Sequence, residues 1–286
     1  MRTLGDFRLH LICESVNHMD VGGCFGLVPR TLYGPLMMPD ADNTLPMPNH
    51  LLLVQTPEQN ILIDTGMGDK VPDKLKAAFK LERPHGDIHA ALARIDLTTA
   101  DIGLVINTHL HGDHCSGNTT LTPDFTLAPV FPNARYVVQR REYDDAMHPN
   151  ERNRATYARE NFEPLVLSGQ MDLLDGDTEL APGVRGVVTP GHTPGHMSVL
   201  LTSGGQHALF VCDMASFAIH FERLGWMTAY DIEPMVTLET KRRWQAWALE
   251  HEALLFFAHD PQRPAGVYRM GENGKATVQP VDFPLV

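Results

Sequence analysis

Paired cysteines are missing from this chain. Its four thiols, Cys13, Cys24, Cys115 and Cys212, form no CxxC pair and follow no regular spacing. In 286 residues that pattern excludes a disulfide scaffold and predicts a reducing, cytoplasmic setting. No apolar run is long enough to span a bilayer. The opening stretch MRTLGDFRLHLICES alternates apolar and polar residues, so no secretory leader is expected. Basic residues are few: 23 Lys and Arg stand against 35 Asp and Glu, a net charge of −12. Phosphate backbones and anionic membranes are bound by clustered Lys and Arg, so nucleic acid and membrane are excluded as partners. Repeats and low-complexity tracts are also absent. With 43% hydrophobic and only 20% charged residues, the chain can bury a large core and is not a disordered one.

Strand-like and helix-like segments alternate, which predicts a layered α/β protein. Strands are expected at residues 7–12, 50–56, 60–66 and 103–108, then at 183–189, 196–202, 207–213 and 253–259. Residues 135–148 read as a strand passing into a helix. Helices are expected at 87–95, with Asp87 as N-cap, and at 151–165, stopped near Pro164. A third is expected at 238–253, packing Trp244, Trp247 and the following Leu254 inward. Residues 20–48 are rich in Gly, Pro and Met. So many breakers exclude a long regular element there and predict an apolar loop, acting as a lid, a pocket wall or a subunit contact, or simply packed on the body.

Histidine is plentiful, and its placement carries chemistry. Four polar motifs each begin where an apolar strand ends: VINTHLHGDH, VVTPGHTPGH, LFVCDMAS and LLFFAHDP. Strand ends hold side chains rigidly beside open loops. They deliver His109, His111, Asp113, His114, His192, Asp213 and His259, a donor set suited to zinc and similar metals. In an extended segment His109 and His111 point the same way and can grip one cation. A turn at Gly112 would swing Asp113 and His114 toward a second position, and Gly117 would allow close backbone passage. Seven ligands exceed one tetrahedral site and suit two cations with Asp213 between them. His196 competes with His192 as a ligand, and Asp260 reads either as support for His259 or as a turn residue. Cys115 and Cys212 read as small apolar packing groups.

THLHGDH, PGHTPGH, CD and AHD, with LIDTG upstream, resemble the successive motifs of the metallo-β-lactamase superfamily over nearly the whole chain. The resemblance implies one domain, residues 1–286, folded as a four-layer αββα sandwich, with 20–48 as a lid or interface segment. It implies His109, His111 and His192 at a first metal, Asp113, His114 and His259 at a second, Asp213 bridging, and Asp64 supporting the ligands. It places the ligand at the first His of GHTPGH and so favours His192. Residues 18–34, 149–165 and 226–235 are similar to segments of YtnP-type quorum-quenching lactonases within the N-acyl homoserine lactonase branch. The chain departs from these in two places. Cys212 stands where many relatives have Gly, and Ser216 where well-known lactonases carry a Tyr; Phe217 and His220 are the nearby candidates for substrate contact.

The resemblance implies a hydrolase with two divalent cations per chain, zinc foremost, with manganese, cobalt or iron as alternatives. A hydroxide bridging the pair would open a lactone ring, with N-acyl homoserine lactones as the expected small-molecule substrates. Asp113 and Asp213 are the expected catalytic carboxylates. An organophosphate triesterase or a thioesterase of the same fold is the alternative, and a non-hydrolytic iron redox protein a remote one. A homodimer is the expected assembly, if any.

Overall fold

The computed structural model describes Met1–Val286 throughout. Two seven-stranded sheets stack face to face. The first holds β1 (Arg2–Leu4), β2 (Phe7–Asp20), β3 (Thr44–Gln55), β4 (Asn60–Ile63), β5 (Ile102–Ile106), β8 (Arg135–Gln139) and β9 (Met171–Leu174), in that spatial order. A separate ribbon pairs β6 (Thr119–Leu121) with β7 (Leu127–Pro129). The second sheet runs in sequence order through β10 (Thr178–Ala181), β11 (Val184–Val188), β12 (Met197–Ser203), β13 (Gln206–Phe210), β14 (Leu254–Phe256), β15 (Ala265–Met270) and β16 (Ala276–Pro280).

Leu9, Leu11, Val54 and Ile63 of the first sheet meet Val199, Leu201, Phe210 and Phe256 of the second in one buried core. The outer face of the first sheet packs on α4 (Ile88–Ala93), α6 (Arg140–Met147) and α7 (Glu163–Leu167) through Leu62, Val105 and Val138. The outer face of the second packs on α8 (Ala218–Glu222) and α9 (Pro234–Glu250) through Val211, Leu255 and Phe257. Helix, sheet, sheet, helix is the expected four-layer order. The strands buried on both faces, β4, β5 and β8, pair in parallel, and their near-continuous apolar runs are what such burial demands. No helix is long and apolar enough to cross a membrane.

Parallel pairing explains how the motifs meet. β4, β5 and, in the other sheet, β13 and β14 run in parallel pairs, so the loops after Ile63, Ile106, Phe210 and Phe256 leave at one edge. The β11–β12 turn opens at the same edge, because β11 and β13 are both antiparallel to β12.

Three expectations fail. Residues 151–156 form turns, and only a 3-10 turn at Arg159–Asn161 and α7 are helical. Asn150 and Asn153 take local backbone amides onto their side chains, the competition that keeps Asn out of helices. Pro164 sits in the first turn of α7 and starts it rather than stopping it. Residues 20–48 are irregular only in part, at 26–29 and 34–43. β2 runs on to Asp20, α1 (Val21–Phe25) and α2 (Arg30–Tyr33) follow, and β3 begins at Thr44. Pro46 and Pro48 are tolerated in β3 because alternate residues there turn their nitrogens away from β2. His50, of the same parity, donates its amide to Ala258 instead. Lastly, Trp247 is only half-buried, while Trp244 is in the core.

Candidate metal centre

Each histidine is presented by a strand end, and four of the five are aimed by a partner behind them; His111 Nε2 has none. His192 Nδ1 donates to Asp231 Oδ1 at 3.1 Å, His114 Nδ1 to Asp64 Oδ2 at 3.0 Å, and His259 Nδ1 to the Pro48 carbonyl at 2.9 Å. Thr108 Oγ1 donates to Asp64 and so accepts from His109 Nδ1 at 3.1 Å. With Nδ1 committed as a donor, the Nε2 lone pair of all four rings is left facing inward.

Those lone pairs converge in two groups. His111 Nδ1 lies 3.1 Å from His109 Nε2 and 3.1 Å from His192 Nε2. One proton cannot serve both contacts, whereas three nitrogens around a tetrahedral cation sit roughly 3.3 Å apart for bonds of about 2.0–2.1 Å. In the second group His114 Nε2 and His259 Nε2 are 3.1 Å apart, and Asp113 Oδ2 is 3.6 and 3.7 Å from them. Asp213 stands between: Oδ2 is 3.3 Å from His192 and from His114, 3.7 Å from His109, and Oδ1 is 3.3 Å from His259. Both trios satisfy the spacing a cation needs, as does His109–His114–Asp213. The donor set therefore fits two cations.

Burial, then the neighbouring imidazoles, hold His109 and His111 well below the usual histidine range. Burial opposes the charge of Asp213, yet His259, His192 and His114 hold it well below the usual carboxylate range. His109 and His111 thus present neutral nitrogens and Asp213 an ionised oxygen, the protonation states that ligands require. On His114, His192 and His259, by contrast, burial is outweighed by nearby acidic groups, Asp213 among them, which raise all three above the usual histidine range, so a cation binding there displaces protons.

His196 is brought close but its lone pair is used: Nε2 accepts the Asp213 amide at 3.2 Å, and Nδ1 donates to the Thr189 carbonyl. It therefore holds the Asp213 loop, and His192 is the ring that faces the cavity. Asp260 is a turn residue, accepting the amides of Ala218, Gln262 and Arg263. Cys212 is fully buried with φ of +51°, a left-handed conformation that glycine adopts without strain. Its thiol packs on Thr108 at 3.1 Å, and burial pushes that thiol up and keeps it protonated.

Two expectations about turns and contacts need correction. Gly112 opens a short helix, α5 (Gly112–Cys115), and an added Cβ would meet only ordinary contacts of 3.4 and 3.7 Å. The change from extended His111 to helical Gly112 redirects Asp113 and His114, and it does not require glycine. Gly117 does: a Cβ there would lie 2.2 Å from the Thr65 carbonyl. His220 does not face the cavity. α8 is buried on every side from Ala218 to Phe221, so His220 packs edge-on behind Phe217 and Phe25. Phe217 lines the cavity. The Ser216 hydroxyl donates to Asp213 Oδ1 at 2.9 Å.

The sequence reading missed two carboxylates. Asp231, which aims His192, is held by Thr228 Oγ1 at 2.7 Å. Glu142, fully buried in α6, accepts from the Leu110 amide and from Thr193 Oγ1, tying the His109–His111 loop to the His192 loop. Neither lies in a motif; the one available signal is an acidic residue on the inward side of α6.

A cavity of about 290 Å³ opens over the two groups. His111, Asp113, His192, Asp213 and His259 form its floor, and Met19, Met47, Met67, Val71, Leu75 and Phe79 much of its wall. Residues 45–259 match the family model of the Metallo-beta-lactamase superfamily. The chain belongs to that superfamily. It is 29% identical over 233 residues to an N-acyl homoserine lactonase of Bacillus sp, covering 78% of this chain and 85% of the relative. A "probable metal-dependent hydrolase" from Staphylococcus aureus superposes with a TM-score of 0.89 at 29% identity, covering all of both chains. An N-acyl homoserine lactone hydrolase with N-hexanoyl-L-homoserine at its catalytic metal center superposes at 0.69 and 25% identity, covering 91% of this chain and 95% of that one.

Proposed function

We propose that this superfamily member is a two-metal lactonase acting on N-acyl homoserine lactones. The observation that carries the reading is Asp213, within 3.3 Å of imidazole nitrogens in both trios, beneath an apolar-walled cavity. His109, His111 and His192 hold one cation, Asp113, His114 and His259 the other, and Asp213 is shared. Two divalent cations held there supply an acidified water and a Lewis acid for an ester carbonyl; borderline nitrogen and carboxylate donors favour zinc.

The chain's own residues do the rest. Asp64, Thr108 and Asp231 keep the Nε2 atoms aimed. Asp113, whose side chain is 26% exposed toward the cavity, carries a proton to the ring oxygen as it leaves. The methionine-rich wall receives the acyl chain and excludes water. Residues 20–48 form part of that wall through Cys24 and Met47. They also expose Leu27, Leu32 and Met38, which suits a subunit contact in a homodimer. Four buried, unbridged thiols suit a cytoplasmic setting.

Ring opening releases one proton per turnover at neutral pH, so the test is direct. Metal-replete protein is mixed with N-hexanoyl homoserine lactone, paraoxon or a thioester, and acid, nitrophenolate or thiol release is followed. Lactone opening well above the other two rates is expected. Faster paraoxon or thioester cleavage would reassign the site to those esters. Oxygen uptake without any hydrolysis would point to iron redox chemistry.

A further inference from the structure

The cavity wall contains one amide with no evident structural duty. Asn17 lines the cavity, is only 3% exposed, and its Oδ1 has no hydrogen-bonding partner in the protein. Other buried asparagines are tied in through at least one side-chain atom: Asn107 and Asn118 bond to each other, Asn49 Nδ2 donates to Ser15, and Asn161 Nδ2, also on the cavity wall, donates to Ser116, although the Oδ1 of Asn49 and of Asn161 is likewise unpartnered. Asn17 joins no such network. Its neighbours on the wall are apolar. Met19 follows two residues on, hence on the same strand face, and Met47 is its cross-strand partner in β3.

An amide buried among methionines without a partner costs free energy in the empty protein. That cost is offset when a ligand brings the missing partner. The register says where the partner must sit. Val16 pairs with Pro48 and Asn17 with Met47, and the Pro48 carbonyl is what holds His259. Asn17 is therefore one residue along the strand pair from the second cation group. From an ester carbonyl held at the metals, a substituent on the adjacent ring carbon can reach that wall, since both line one cavity.

We propose that Asn17 reads the side-chain amide of the substrate, making the enzyme selective for N-acylated lactones over plain alkyl lactones. This rests on the lactonase reading above. The asparagine amide offers both a donor and an acceptor, the complement of the N–H and C=O of an acylated amine. No protein contact of Oδ1 dictates which of the two faces the cavity. The methionines around it accommodate the alkyl chain beyond the amide.

The test compares two lactones in wild type and Asn17→Leu, a near-isosteric change. N-hexanoyl homoserine lactone carries the amide; γ-decalactone has a five-membered ring and an alkyl arm but no amide. The expected result is a rise of about tenfold in KM for the amide substrate, the scale of one lost hydrogen bond, with kcat little changed. KM for γ-decalactone should hold, and the melting temperature of the free protein should not fall, because no protein hydrogen bond is removed. Equal losses on both lactones, or no loss on either, would overturn the proposal. A wild type that opens γ-decalactone but not the amide substrate would also overturn it while leaving the hydrolase reading intact. A wild type that opens neither would remove the lactonase reading itself. Metal content and melting temperature report whether Asn17→Leu folds. If it does not, Asn17→Ala is read by the same comparison.

Discussion

The two halves of the candidate metal centre both rest on imidazoles but are supported differently. The His109–His111–His192 half is entirely imidazole and buried. Its loops are tied by Glu142, and one of its rings, His192, leans on Asp231, a residue of an irregular loop. The other half includes the solvent-touched Asp113, and its rings lean on Asp64 at the end of β4 and on the backbone of β3. Asp64 also reaches the first half, through Thr108 to His109. One half is closed and fixed by its surroundings. The other is open to substrate and fixed by the sheet, which is where a group that must exchange protons with a leaving oxygen belongs.

The strongest way to break this comparison is to remove what the halves share. Asp213→Ala deletes the carboxylate that lies between both groups and is proposed as their shared ligand, and leaves facing imidazoles without their counter-charge. Both metal equivalents should be lost on dialysis, with activity down at least about a thousandfold because the acidified water is gone. Retention of two metals per chain, measured by elemental analysis, would contradict the shared role. A sharper test sets Asp64→Asn against Asp231→Asn. Asparagine tolerates the positive φ of 59° at position 64, so the backbone should hold while the carboxylate is lost. Outer carboxylates behind a metal-bound histidine are worth about 10–100-fold in metal affinity. Asp64→Asn should weaken both equivalents, the His114 side more. Asp231→Asn should weaken one and leave the other near wild type. Competition with a chromophoric chelator would resolve the two steps, and identical curves for the two variants would erase the asymmetry.

That asymmetry also describes what the sequence could tell. The convergence of the seven donors was legible because each follows an apolar strand, and strand ends at one sheet edge have a common destination. His192 could be told from His196 only by resemblance; the physical reason, His196 accepting the Asp213 amide, needs coordinates. The roles of Asp231, Glu142 and Asn17 were not legible, although Asp231 lies in the 226–235 segment, since they act across 39, 32 and 30 residues or more of chain and sit in no periodic pattern. The layers were readable from apolar runs in β4, β5 and β13. The helix expected at 151–165 forms only toward its end, because asparagine side chains capture the backbone of its first turn. The regular course of residues 44–48 was hidden by two prolines that looked like breakers and fall on nitrogens the ladder does not use.

A histidine that serves neither half provides the smallest effect. His220 is 1% exposed, and both its ring nitrogens lack partners. Burial, then the nearby Lys241 ammonium, lowers it to about 3 from an ordinary 6.5, while Asp231 and Asp213 pull weakly the other way. The unfolded chain takes up this proton as pH falls through 6.5, whereas the folded chain refuses it until about 3. Stability from keeping the ring neutral is therefore full above pH 6.5 and declines as pH drops across that window. His220→Leu removes the titration while filling similar space. Near neutrality the variant should match or slightly exceed wild type, since two unpaired buried nitrogens are gone. Below pH 6.5 its advantage should widen, reaching a few kcal/mol toward the bottom of the window. Urea midpoints at pH 7, 5.5 and 4.5 would show it. Acid release of metal from the two halves acts on both proteins alike and cancels in the difference. A gap that stays constant with pH would mean that His220 takes its proton in the folded state as readily as in the unfolded one, and the acid sensitivity of the fold would then belong to the metal centre alone.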